Sequence, residues 1–146
     1  MNAVREPREK ITFASYVFCW YSLSMAMRDA INGFFGQFGD KPEVRGQEKL
    51  HGFRKFLVVG MGGSHFAADF LLMVKPGLDL IVHRDYGLPE LPADVWKDRL
   101  VICSSYSGNT EEVIGAFYEA REKGLPLAVL SVGGKLLELA GEHVAP

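Results

Sequence analysis

Four short apolar runs, each delivered into a turn built from Gly, Ser, Asn or Pro, constrain this chain more than any other feature. Phe56-Leu57-Val58-Val59, Leu78 to Val82, Leu100 to Ser104 and Leu127 to Leu130 have the length of strands rather than helices. Phe56 to Val59 and Leu100 to Cys103 are continuous rather than alternating, which is consistent with strands buried on both faces, as in a parallel sheet, while Asp79 interrupts the second run. Helical periodicity fills the gaps. Phe66, Ala67, Phe70, Leu71 and Val74 share one face at spacings of three and four, with Ser64 placed to cap that helix and Lys75-Pro76-Gly77 to end it. Val113, Ala116, Phe117 and Ala120 form the inner face of the next, which stops at Gly124. Gly133-Gly134-Lys135 opens a last short helix, and a Pro-rich loop runs through Leu88-Pro89 and Leu91-Pro92. The alternation predicts an α/β fold: a three-layer α-β-α sandwich whose parallel sheet is covered on both faces.

The remaining residues bound what such a domain is for. A chain of 146 residues, 48% hydrophobic and 23% charged, holds one ordinary domain with a real core. Its net charge of −2 leaves no electrostatic footprint for nucleic acid. Cys19 and Cys103 have no metal-type spacing, and His51, His83 and His143 are scattered, so neither a metal nor a cofactor is expected. Ile11 to Met27 carries no charge and follows Arg5, Arg8 and Lys10, the outline of a secretory signal. Glu6 and Glu9 dilute that basic region, and Tyr16, Trp20, Tyr21, Ser22 and Ser24 make the run too polar. It is also short of the roughly 20 apolar residues that a membrane span needs. The expectation is therefore a packed amphipathic helix reaching to about Phe38, in a cytoplasmic protein with no membrane partner. Residues 1–52 read as a helical extension and linker, and 53–146 as the α/β domain.

Ligands of parallel sheets bind beyond the carboxyl ends of the strands, and three polar turns lie there: Gly60 to Ser64, Ser104 to Thr110, and Ser131 to Lys135. The second packs Ser105, Ser107, Thr110, Gly108 and Asn109 into one strand-to-helix turn. Backbone N–H groups and the positive end of a helix dipole converge in such a turn, which suits a phosphate without any Lys or Arg. Simple turn and cap chemistry is the plainer explanation of the same residues, and Glu111 and Glu112 suit a helix start for electrostatic reasons alone. The first turn has a rival reading too. Gly60-Met61-Gly62-Gly63-Ser64-His65, with Asp85 near the end of the second strand, approaches a dinucleotide fingerprint, but His65 stands where close helix packing wants a third Gly.

Taken together, Gly60-Met61-Gly62-Gly63-Ser64, Ser105-Tyr106-Ser107-Gly108-Asn109-Thr110-Glu111-Glu112 and Gly133-Gly134-Lys135-Leu136 resemble the sugar isomerase (SIS) domain. The nearest likeness is to the first half of the bifunctional phosphoglucose/phosphomannose isomerases. Asp69 and Tyr86-Gly87-Leu88-Pro89 sit where that family has similar residues. The resemblance covers about Ile31 to Pro146, and residues 1–30 match nothing in it. It implies a SIS-type, flavodoxin-like fold binding a hexose 6-phosphate, with Gly62, Gly63 and Ser64 against the sugar and Ser105, Ser107 and Thr110 on the phosphate.

The resemblance further implies aldose–ketose isomerisation, in which a carboxylate base moves a proton between C2 and C1 after acid-assisted ring opening. The family draws its Glu, His and Lys for this from a second, similar domain, and an Arg from just beyond the first. The expected partner is therefore a second SIS domain, in the same chain or in a homodimer. Two positions depart from the pattern: His65 replaces a small residue and Ala68 a Gly. His65 is a candidate here for proton transfer, since its ordinary pKa suits that work, and Glu111 and Glu112 are a second pair, for which the helix-start role is favoured. The segment ending at Pro146 reads as the approach to a fifth strand, so the domain is expected to be cut before its last strand and inactive alone. The alternative is a stand-alone SIS module that senses a sugar phosphate.

Overall fold

The computed structural model describes residues 17–18, 32–33, 36, 43–44 and 46–141. The four apolar runs become strands β1 (Lys55–Gly60), β2 (Asp79–His83), β3 (Arg99–Ser104) and β4 (Leu127–Leu130). They form one parallel sheet in the order β2-β1-β3-β4. The helices are α1 (Phe66–Val74), α2 (Ala93–Trp96), α3 (Glu111–Glu122) and α4 (Gly134–Gly141). Strand β2 starts one residue later than its apolar run, and α2 is a short helix inside what reads as a Pro-rich loop.

Strand order decides where the helices go. From β1 the chain crosses to one side of the sheet, and from β3 it crosses to the other. Right-handed crossovers put the two connecting helices, α1 and α3, on opposite faces. The sheet is therefore covered on both sides, giving the three-layer α/β sandwich. The switch point lies between β1 and β3, where ligands of such sheets bind. Parallel pairing sets Gly60 opposite Ser104 there, so the turns that leave these strands stand side by side.

The two helical layers differ in weight. On the α3 side, Leu57 and Val59 of β1, Val101 and Cys103 of β3, and Leu127 and Val129 of β4 pack under Val113, Ala116, Phe117 and Ala120. Leu136, Leu139 and Ala140 of α4 close the same cluster. The face expected of α3 is the face it buries. Burial pushes the Cys103 thiol up to about 12, so it serves as a small apolar residue here. At the amino ends of the strands a single buried side chain ties three of them together. Arg99 donates to the carbonyl oxygens of Val95 and Phe56 and to the carboxylate of Asp79.

On the other side, α1 turns its apolar stripe outward. Phe66, Ala67, Phe70, Leu71 and Val74 are exposed, and Ala68 is the residue that the helix buries. The orientation is set at the helix start. A tight 3-10 turn over Gly62–His65 leads into α1, and the Asp69 carboxylate accepts from Arg84 just after β2. That ion pair, with His65 on the same carboxylate, ties one edge of the helix to the segment after β2.

In the amino-terminal region, Val17 and Phe18 pair antiparallel with Val44 and Glu43. They are extended where a helix from Ile11 to Phe38 is expected, in keeping with the β-branched and aromatic residues around them. Most of that helix falls outside the described residues, as do Glu142 to Pro146, where the approach to a fifth strand is expected. Among the described residues no helix is long and apolar enough to cross a membrane. No group of three or more His, Cys, Asp or Glu is placed to hold a metal ion among them.

Candidate functional site

The two turns at the switch point are stapled to each other. The Ser104 hydroxyl donates to the Ser64 carbonyl at 2.8 Å, and the Tyr106 amide donates to the Ser64 hydroxyl at 3.3 Å. Ser64 therefore belongs to both turns. Beside the staple lies a cavity of about 530 Å³, lined by Gly63, Ser64, Ala67, Ser104, Tyr106, Leu130, Ser131 and Val132. Its size suits a small organic ligand. Its wall mixes hydroxyls at the rim with apolar groups from α1 and β4.

The second turn is also locked to the third. At Gly108, with φ +70°, a side chain would overlap the carbonyl oxygen of Gly133. At Gly134, also with φ +70°, it would overlap the carbonyl oxygen of Ser107. Two backbones this close admit no Cβ on either side. The Leu136 amide donates to the Gly108 carbonyl and the Lys135 amide to the Asn109 side chain, so α4 begins on the second turn. The hydroxyl of Ser131 closes its own turn on Gly133.

Within this frame the six sequence-identified residues separate into two kinds. Ser105 is buried: its hydroxyl accepts from the Gly108 amide and shares a 2.8 Å hydrogen bond with Thr110. Those two hydroxyls hold the shape of the turn. Because Thr110 spends its side chain on Ser105, α3 has no side-chain cap at its amino end. The first amides of a helix have no partner within it, and here they open beside the turn. Ser107 stands exposed at the tip, its hydroxyl accepting from the Asn109 amide. Gly62 is exposed, and Gly63 and Ser64 reach the cavity wall.

His65 points elsewhere. Its Nδ1 lies 2.5 Å from the Asp69 carboxylate, whose other oxygen accepts from Arg84. The ring packs edge-on against Phe66 and is absent from the cavity lining. Burial raises the Asp69 carboxyl, but hydrogen bonds from His65 and Arg84 and the Arg84 charge outweigh it, leaving the group below its ordinary value. Among the described residues the cavity lining contains no Asp, Glu, His or Lys. Ser104, Tyr106 and Ser131 also line the cavity; the polar turns read from the sequence contain them, but none was singled out as a ligand contact. Ser104 ends β3 and Ser131 directly follows β4, and the strand-end position was the available signal.

Comparison with known proteins adds names to this geometry. The chain is 41% identical over 95 residues to a bifunctional phosphoglucose/phosphomannose isomerase from Caldicellulosiruptor bescii, covering 63% of this chain and 27% of that one. It is 35% identical over 117 residues to a protein of the same name from Aquifex aeolicus, covering 77% and 35% respectively. It is also 31% identical over 102 residues to a D-glucosamine-6-phosphate 4-epimerase from Sulfolobus acidocaldarius, covering 69% and 30%. The chain thus spans about a third of the length of these curated relatives. No known family model matches it, and no solved structure matches it.

Proposed function

We propose that this chain is the phosphosugar-binding part of an aldose–ketose isomerase acting on a hexose 6-phosphate, of the phosphoglucose/phosphomannose isomerase kind. The observation that carries the reading is the locked turn from Ser105 to Asn109 at the switch point of the sheet. Its buried hydroxyls are committed to shape, which leaves the Ser107 hydroxyl and the uncapped start of α3 to receive a dianion. Hydrogen bonds to a charged oxygen are about twice as strong as neutral ones, so a few such donors suffice. The sugar then lies along Gly62, Gly63 and Ser64, over the adjoining cavity. What the relatives' names share is a phosphorylated hexose rather than a reaction. A portion common to an isomerase and an epimerase is best read as the portion that holds the substrate.

In this reading the chain orients the phosphate and excludes water from one side of the sugar. The proton shuttle between C2 and C1 needs a base and an acid, and the described residues of the cavity lining include no Asp, Glu, His or Lys. A second SIS domain, in the same chain or in a partner, supplies them, and a cytoplasmic setting goes with such metabolism. The same lack favours the second reading, a module that senses a sugar phosphate without converting it.

Calorimetry with glucose 6-phosphate and fructose 6-phosphate tests the site. Ser107→Ala should weaken binding roughly tenfold or more, the worth of one hydrogen bond to a charged group. Thr110→Ala, which removes the partner of the Ser105 hydroxyl, should weaken binding through the shape of the turn, with a thermal melt to show that loss. Inorganic phosphate should compete. Unchanged affinity in Ser107→Ala would remove the assigned phosphate position. Binding with no interconversion is expected of the chain alone, and measurable turnover would place the base inside it.

A further inference from the structure

The turn from Gly62 to His65 is loose in its middle and fastened at its carboxyl end. At Gly62 and Gly63 an added Cβ would meet nothing within 4 Å among the described residues, and glycine has the widest backbone choice of any residue. Ser64 is held by Ser104 and Tyr106. The next residue, His65, sets its Nδ1 2.5 Å from one oxygen of Asp69, while Arg84 donates to the other. We propose that His65 is a positioning residue for the sugar: through Asp69 it fixes the Gly62–Ser64 turn where the hexose is received, without touching the ligand. The inference rests on the sugar-phosphate reading and deepens it.

The contacts form a continuous path. The carbonyl to which Ser104 donates belongs to the peptide joining Ser64 to His65. The staple on one side and the imidazole on the other therefore hold one peptide unit. An ionised carboxylate only accepts, so Nδ1 carries the hydrogen. The His65 side chain is 12% exposed and packs edge-on against Phe66, which leaves it little room to turn away. Asp69 is in turn anchored from outside its own helix, by Arg84 directly after β2. The path thus runs from the end of β2 through Arg84, Asp69 and His65 to the sugar-facing turn.

A turn ordered beforehand loses less freedom when its ligand arrives, which raises affinity without adding a contact. The second turn has supports of its own, the Ser105–Thr110 hydrogen bond and the close approach of Gly108 to Gly133. His65 therefore governs how the sugar is held and leaves the phosphate alone.

Calorimetry on the 146-residue chain, with glucose 6-phosphate and inorganic phosphate in parallel, tests this split. His65→Ala should bind glucose 6-phosphate about three- to tenfold more weakly, as for one net hydrogen bond, with phosphate affinity unchanged. His65→Phe keeps a ring against Phe66 but lacks the donor, so it should show the same split. His65→Asn places an amide N–H near the position of Nδ1 and should restore glucose 6-phosphate binding. A merely structural residue would lower both ligands and the melting midpoint together. Unchanged glucose 6-phosphate affinity in His65→Ala and His65→Phe overturns the proposal, as does a parallel loss of both ligands or no recovery in His65→Asn. If the wild-type chain binds neither ligand, the sugar-phosphate reading fails and this one with it. Wild-type binding without the split removes this one alone.

Discussion

The molecule contains the same construction twice, and the two copies behave differently. In one, β1 passes through the Gly60–His65 turn into α1. In the other, β3 passes through the Ser104–Thr110 turn into α3. Both helices carry an apolar stripe with ordinary helical spacing. Helix α3 buries its stripe completely enough that Val113, Ala116, Phe117 and Ala120 are at most 1% exposed. Helix α1 leaves its stripe in the open. Likewise the second turn is locked against its neighbour at Gly108, whereas at Gly63 in the first turn an added Cβ would meet nothing. Periodicity says that a helix has an apolar face. Which way that face turns depends on what else reaches it.

Substitutions in matched pairs put this contrast under strain, the largest difference first. Phe117→Ala should cost about 3–5 kcal/mol in urea unfolding. Phe70→Ala should stay within about 0.5 kcal/mol for the monomer. Similar losses in the two would mean that the α1 stripe is buried after all. Gly108→Ala comes next: the strained backbone and the collision with Gly133 should together remove about 3 kcal/mol or prevent folding. Gly63→Ala should cost less than about 1 kcal/mol, read in the same titrations.

Within the second turn, Ser105→Ala should lose about 1–3 kcal/mol, because the Gly108 amide is left without that hydroxyl. Ser107→Ala should barely change the melting temperature without ligand, which separates the turn's frame from its binding tip.

The smallest effect concerns the anchor of α1. The folded carboxyl of Asp69 lies below its ordinary value of 3.8. Its contribution to stability is therefore present above that value and is lost as pH falls through the folded one. Melting curves of wild type and Asp69→Asn should separate at neutral pH and converge in strong acid. Parallel curves at every pH would show that Asp69 does not orient the helix.

Much of this was legible from residues alone. The strands appear where Val, Ile and Leu run continuously between turn residues, because the pleat and the helix period are local properties of a sequence. The locked turn was visible as Ser105 to Thr110, since Gly and hydroxyl residues declare a strand-to-helix corner wherever they cluster. The division of labour among those hydroxyls was not. Ser105 and Ser107 look alike in sequence, and only the packing of β3 under α3 buries one and leaves the other at the tip. The stripe of α1 was correctly located and its direction was not, because Phe66 and Phe70 carry no record of what they face. That direction follows from strand order, from the Asp69–Arg84 pair across 15 residues, and from crossovers that send α3 and α4 to the same side. Local chemistry wrote the elements of this protein. Long-range contact, which no window of sequence contains, decided which surfaces they hide.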